Sequence, residues 1–447
     1  MRPHALSAGL AAALISMTTT AGWAQPASAQ QPSAADLSQT AAPEAEGFDA
    51  QRLERLHAFL AAEVAKGHAP GFVTLLARHG KVVDYQTYGQ SNVAVGQAMR
   101  AGEIFGLASM SKPITGVALM MLFEEGKWRM SDPITKYLPE LKSLKVLEGT
   151  GPDGKPIVTD MKRPPTMREL MSHTAGFGYY LDDRQPVDNL FDAADVLGSN
   201  SSQQLVDRVA GLPLVYQPGE AWYYSIAVDL QGIIVERLSG LSLGEFMRTR
   251  IFEPLGMKDT GFYLSPTQAG RLATIYIGDP QTERLTAATE IRGLPVKPPL
   301  KAPTYESGGV GLLSTAHDYA RFCQMILNGG ELGGVRLLSP ASIALMGASA
   351  APWDVLTSSK GDGAGKFNRG EGFGLDFKVI QDPRQAGRME GAGTLSWNGA
   401  ASTWFWIDPE NDLLFVGMTQ RLGGGGADEF GEVARILTYQ ALTHPEK

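Results

Sequence analysis

The chain has 447 residues, with 39 Lys and Arg against 47 Asp and Glu, and it carries a single cysteine. A mildly acidic balance without long charge blocks excludes a basic nucleic-acid-binding surface, and one thiol excludes an intrachain disulfide. No His/Cys cluster with zinc spacing and no phosphate-cradling glycine loop occurs, so no metal or nucleotide cofactor is implied.

Arg2 and His4 precede an apolar run from Ala5 to Met17, and two small-residue cleavage candidates follow, Gly22-Trp23-Ala24 and Ala27-Ser28-Ala29. Residues 1–29 therefore read as a signal peptide, since the apolar run is shorter than the ~20 residues a bilayer needs. The mature protein is expected to be exported, periplasmic or extracellular, without stable membrane insertion. Residues 30–46 are polar and small, lack apolar periodicity and read as a flexible tether. The remaining stretch, 47–447, is about 400 residues and long for a single core, so two lobes sharing one cleft are expected.

Leu53, Leu56, Phe59, Leu60 and Val64 recur at helical spacing, and two strand-like runs, Gly71–Arg78 and Lys81–Tyr88, meet at His79-Gly80. Phe105–Ala108 leads into an apolar helix from Ser109 to about Glu125, stopped by Gly126. Helical segments and loops follow as far as Ile291, with helices at Met167–His173, Gln203–Val209, Ala227–Ser239 and Leu243–Phe252. Strands return at Gly374–Val379, Thr394–Trp397, Ser402–Ile407 and Leu413–Met418, before a closing helix, Glu432–Leu442. Strands at both ends with helices between predict an α/β fold. Its sheet lobe draws on residues 47–108 and 300–447, and a helical lobe, 109–299, is inserted between them.

Ser109-Met110-Ser111-Lys112 carries the sharpest chemistry. A serine hydroxyl needs a base within hydrogen-bond reach to act as a nucleophile, and three residues apart on a helix puts both side chains on one face. Lysine is a base only when neutral, which apolar surroundings such as Ile114–Leu122 favour. Pro113 is tolerated only near a helix start, so the free N–H groups there favour a developing negative charge. Gly240-Leu241-Ser242-Leu243-Gly244 imitates an esterase nucleophile elbow, but that motif needs a strand before it. Here a helix precedes, and Ser242 with Glu245 three residues on reads as a helix cap.

Tyr224, in Pro218–Ile226, is either a packing ring or a phenol that relays the nucleophile's proton, and its neighbour Tyr223 reads as packing. Gly399 and Ala400 precede a strand whose edge could present backbone N–H groups to a ligand, or form an ordinary turn. His173 reads as a buried or capping residue, although a Ser-His-Asp triad stays open. Cys323 sits at helical spacing and reads as a buried structural thiol.

Several ordered blocks together resemble the serine β-lactamase and penicillin-binding-protein superfamily, most of all its family VIII carboxylesterases and class C β-lactamase-like hydrolases. They are Pro70–Gly80, Ser109–Thr115, Leu170–Gly176, Tyr224–Asp229, Gly308–Thr315 and Trp397–Ala400 running into Ile407–Pro409. The resemblance implies an antiparallel sheet flanked by helices plus an all-α lobe, with the cleft between them. It implies acylation of Ser109, proton transfer shared by Lys112 and Tyr224, and an oxyanion hole from the backbone N–H groups of Ser109 and Ala400. Ile226, Trp397, Asn398 and Gly399 would line the substrate. The family's Tyr-x-Asn becomes Tyr224-Ser225-Ile226 here, and its Lys-Thr-Gly is replaced by Trp397-Asn398-Gly399. Loss of that amide and that cation favours short-chain esters, a small-molecule substrate class, over β-lactams. A class C-like β-lactamase or D-amino-acid peptidase, and a catalytically silent peptidoglycan- or partner-binding module, are the alternatives.

Overall fold

The computed structural model describes residues 36–444, apart from 153–154, 183, 280, 283, 292–293, 296–298, 363–365 and 424–425. The signal peptide reading lies outside the described residues. Of the expected tether, residues 36–46 are described and are packed. Leu37 is buried, Leu37 N–H donates to Gly80 O, Val82 N–H donates to Gln39 O, and Ala41 N–H donates to Val82 O. Composition alone hides this, because one leucine and three backbone hydrogen bonds are enough to lay a polar segment along a strand.

Helix α1 (Ala50–Ala65) starts at Asp49, whose carboxylate accepts the Arg52 N–H. Strands β1 (Gly71–Arg78) and β2 (Lys81–Asn92) follow as a hairpin. Its turn residues, His79 and Gly80, both have positive φ, at 50° and 70°, the sense that matches the strand twist. β3 (Gln97–Ala98) adds an edge. After helix α2 (Ser111–Glu124), the chain builds short helices and loops, among them α3 (Ala227–Ser239), and then α4 (Ala316–Leu327). β4 (Glu371–Phe373), β5 (Lys378–Ile380), β6 (Leu395–Gly399), β7 (Thr403–Asp408) and β8 (Leu413–Met418) precede the last helix, α5 (Gly426–Tyr439).

These strands form one eight-stranded sheet in the order β4-β5-β6-β7-β8-β1-β2-β3, every neighbour antiparallel. β1 lies against β8, so both ends of the chain make a single sheet. Side chains alternate across each strand, and the two faces bury different cores. Phe72, Leu76, Trp404, Trp406, Leu413 and Phe415 pack under α1 and α5. Val73, Leu75, Phe405, Ile407, Leu414 and Val416 share a core with α2, α3 and α4.

The structure differs from the sequence expectation in three places. The run Gly374–Val379 is not one strand: Gly374–Phe377 form the turn between β4 and β5, with Asp376 at a left-handed φ of 63°, and only Lys378 and Val379 are strand. The α-helix begins at Ser111, and Ser109 sits in a preceding 3-10 turn, Ala108–Met110. The region expected to be helical also holds a hairpin, Lys145–Thr150 with Pro156–Asp160, and a small sheet from Tyr276–Gly278, Leu285–Ala287 and Arg421–Leu422.

Ser242 is a helix cap, its Oγ accepting the Glu245 N–H at 3.2 Å at the start of Leu243–Met247. Ser242→Ala is expected to lower unfolding free energy by about 1 kcal/mol. It should leave hydrolytic activity unchanged in an assay run well below the melting temperature, and lost activity would restore Ser242 as a nucleophile candidate.

Candidate active site

The nucleophile candidate is placed by a short bridge and a strained turn. Phe105–Gly106 pairs with Leu313–Ser314, and the next residues swing through Ala108 at φ 46°. A left-handed alanine costs roughly 1–2 kcal/mol, and that strain is held by contacts on both sides. Tyr319 Oη donates to Met110 O at 3.0 Å, and Leu312 N–H donates to Ser111 Oγ at 3.1 Å. α2 then runs through the middle of the molecule with residues Ser111–Leu122 all buried. A helix with no polar face belongs in a core, and it carries Lys112 in with it.

Lys112 has no exposed surface. Its Nζ donates to Ser109 Oγ at 3.2 Å and to Gly309 O at 2.9 Å. It also stands over the ring faces of Tyr224 and Tyr179, 4.7 and 5.4 Å from their centroids. The Gly309 carbonyl is aimed by Asp229. That carboxylate accepts Ser307 Oγ at 2.5 Å, Tyr305 Oη at 2.7 Å and Gly309 N–H at 3.4 Å. A side chain at position 309 would meet Asp229 Oδ2 at 2.3 Å, so only glycine fits.

Tyr224 presents its ring to Lys112, and its buried Oη has no hydrogen-bond partner among the described residues. The phenol is thus beside the Ser/Lys pair but not bonded to it. Its backbone N–H donates to Asp362 Oδ1 at 3.1 Å. His173 holds the next residue: Ser225 N–H donates to His173 Nδ1 at 3.2 Å, which leaves the ring proton on Nε2. Burial, then the nearby Lys112, pushes the His173 pKa well below the usual imidazole range. Packed between Tyr224, Trp222 and Phe373 and bonded to Ser225, His173 is a support for Tyr224 and not a triad base. Cys323 is fully buried on α4, as expected, and burial pushes its thiol pKa up.

The end of β6 closes the other side. A side chain on Gly399 would meet Leu107 O at 2.2 Å and Thr403 Oγ1 at 2.4 Å, so the strand touches the Ser109 turn backbone to backbone. Ala400 follows Gly399 directly in the chain, at the end of β6. Trp397 is half-buried, 5.5 Å from the Tyr224 ring and 5.4 Å from Phe373, with its indole N–H unpartnered among the described residues. Asn398 lies next along β6, paired with Trp404 across the sheet.

Ile226 is a correction to the expected substrate wall. It has no exposed surface, donates its N–H to Gly178 O at 3.1 Å and is part of the core at the head of α3. An apolar side chain there is drawn inward, where an amide would stay at the cleft.

A cleft of about 660 Å³ borders Tyr224 and is lined also by Leu181, Asp188, Tyr223, Asp362 and Lys366. Another hollow of about 640 Å³, around Val64, Pro70 and Tyr276, shares no residue with the Ser109 cluster. Of the two, only the first borders a residue of that cluster, Tyr224. Asp229 and Tyr179 were not assigned roles from sequence, and Gly309 entered only within the Gly308–Thr315 block. A carbonyl contributed by a glycine has no sequence signature, and only the Gly308-Gly309 pair hinted at a close approach.

A family described as Beta-lactamase matches residues 56–440. Protein Rv1367c of Mycobacterium tuberculosis is 35% identical over 375 residues, covering 82% of this chain and 90% of its own length. Esterase EstB of Burkholderia gladioli is 31% identical over 387 residues, covering 81% of this chain and 89% of its own. The solved structure of EstCE1, described as a hydrolase with promiscuous acyltransferase activity, superposes with a TM-score of 0.72 at 26% identity. It covers 87% of this chain and 99% of its own.

Proposed function

The chain belongs to the Beta-lactamase family and is a serine hydrolase, and on that premise we propose that it is a carboxylesterase acylated on Ser109. The observation that carries the reading is the 3.2 Å contact between Lys112 Nζ and Ser109 Oγ. In the first step Lys112, assisted by Tyr224, takes the Ser109 proton as Oγ attacks an ester carbonyl. Backbone N–H groups of Ser109 and Ala400 hold the oxyanion. The alcohol leaves with the proton returned by Lys112, and a water molecule then hydrolyses the acyl-enzyme by the same route.

Two features support esters over β-lactams. Trp397 offers an apolar ring and a single N–H where a cation would attract a substrate carboxylate. Ile226 is enclosed in the core and offers no amide. We also read residues 1–29 as an export signal, which N-terminal sequencing of the mature protein tests.

The deciding experiment compares p-nitrophenyl butyrate with nitrocefin and maps the residue labelled by a fluorophosphonate. The ester should be turned over with the higher kcat/KM, and the label should fall on the Ser109 peptide. Faster nitrocefin turnover would move the reading to a β-lactamase. An unlabelled protein would favour the silent binding module.

A further inference from the structure

Residues 221–225 have no regular secondary structure, so their backbone N–H groups need acceptors from elsewhere in the fold. Tyr223 N–H donates to His173 O at 2.9 Å, Ser225 N–H to His173 Nδ1 at 3.2 Å, and Ile226 N–H to Gly178 O at 3.1 Å. Tyr224 N–H is instead accepted by Asp362 Oδ1, 138 residues away in the chain, at 3.1 Å. Asp362 belongs to a segment that grips alternate residues of this strip. Lys360 Nζ donates to Glu220 Oε2 at 2.9 Å, Trp222 N–H donates to Val355 O at 3.0 Å, and a side chain on Gly361 would meet Trp222 O at 2.1 Å. The second oxygen of Asp362 accepts Lys366 Nζ at 2.7 Å, and with Lys366 about half exposed that ion pair contributes little.

No hydrogen bond holds the Tyr224 phenol itself: among the described residues its Oη has no partner. Packing against Tyr179, His173, Trp222 and Trp397 sets which face the ring turns to Lys112. Ring faces slide past one another at small cost compared with breaking a partly buried N–H bond, so the reach of the phenol depends on where its backbone is fixed. We propose, on the reading of Tyr224 as the proton relay, that Asp362 is a positioning residue of the reaction: by accepting the Tyr224 N–H it fixes how far the phenol stands from Ser109 and Lys112. Asp362 also borders the cleft beside Tyr224, so direct contact with substrate is the competing role.

A double-mutant cycle read by kcat and KM for p-nitrophenyl butyrate separates the two roles. Asp362→Ala leaves the Tyr224 N–H without its acceptor. It is expected to lower kcat roughly 10- to 100-fold with KM changed less than about threefold, as a misplaced proton-transfer group does. Asp362→Asn keeps an acceptor oxygen for that N–H while removing the charge, and should keep kcat within about threefold of the parent enzyme. In a Tyr224→Phe background, Asp362→Ala should cost almost nothing further, because the hydroxyl it positions is gone. Gly361→Ala keeps the carboxyl but forces its segment off Trp222 O, and is expected to show the same dependence on Tyr224. That variant keeps the test available if Asp362→Ala folds poorly. Equal losses in the parent and Tyr224→Phe backgrounds, an Asp362→Asn enzyme as slow as Asp362→Ala, or a raised KM at unchanged kcat would each overturn the inference and leave the Ser109 and Tyr224 readings intact. A Tyr224→Phe enzyme with full kcat would instead remove the phenol from the reaction, and the positioning role of Asp362 with it.

Discussion

Ser109→Ala is expected to lower kcat for p-nitrophenyl butyrate by roughly 10³- to 10⁶-fold, with the melting temperature nearly unchanged. Ser109 Oγ is the hydroxyl that receives the Lys112 hydrogen bond, and it lies at the head of a fully buried helix beside a strained residue. Without the oxygen there is no atom for the acyl group, and water must attack unaided. The backbone N–H groups of Ser109 and Ala400 remain in the variant, so a residue of binding and oxyanion stabilisation persists and the loss stays finite. Stability is little affected because Ser109 is only partly buried, and its removal leaves Lys112 a second acceptor, Gly309 O at 2.9 Å. A variant that keeps full esterase activity, measured after purification from a host background free of esterases, would remove Ser109 from the mechanism. Loss of fluorophosphonate labelling in parallel with loss of turnover would tie both to the same oxygen.

The parts of this site that could be read in the sequence are those encoded by local spacing. Ser109 and Lys112 are three residues apart on one helix, so their contact follows from helix geometry wherever that helix packs. The strand Leu413–Met418 and the helix Ala227–Ser239 were legible for the same reason: each has one periodicity and clear stops. What spans the fold was not legible. The carbonyl that Lys112 bonds comes from Gly309, 197 residues away, and Asp229 aims it through three hydrogen bonds that no spacing encodes. Asp376 sits in a run that reads as a strand, and only the backbone shows the left-handed turn that breaks it. Residues 36–46 failed for the opposite reason. Their composition suits a loose segment, yet β2 offered an open edge and Leu37 had a core to enter. Tyr224 lies between these cases: its position beside Lys112 followed from family resemblance, but its orientation, ring face toward the ammonium and hydroxyl unpartnered among the described residues, follows only from the aromatic packing of Tyr179, His173 and Trp397.

Lys112→Met is expected to cost roughly 10²- to 10⁴-fold or more in kcat while leaving stability unchanged or raising it by about 1–2 kcal/mol. Lys112 is fully buried, and among the described residues it makes no ion pair; its hydrogen bonds end on a hydroxyl and a backbone carbonyl. The rings of Tyr179 and Tyr224 offset only part of the cost of taking an amine out of water. Methionine fills the same unbranched space, pays no such desolvation and packs well against aromatic rings. Against this stands the Gly309 carbonyl, left without its donor, at a cost of about 1–3 kcal/mol. The two nearly cancel, and the balance tips toward the apolar side chain because an amine head group is dearer to bury than a carbonyl. Urea unfolding of both proteins at one pH, with kcat measured on the same samples, separates the effects. A variant more than about 3 kcal/mol less stable would mean that Lys112 is held for the fold. A stable, inactive variant would mean that the fold bears Lys112 for the sake of the reaction, as a buried base must be borne: the apolar helix that makes it costly is the same feature that makes it able to take a proton from Ser109.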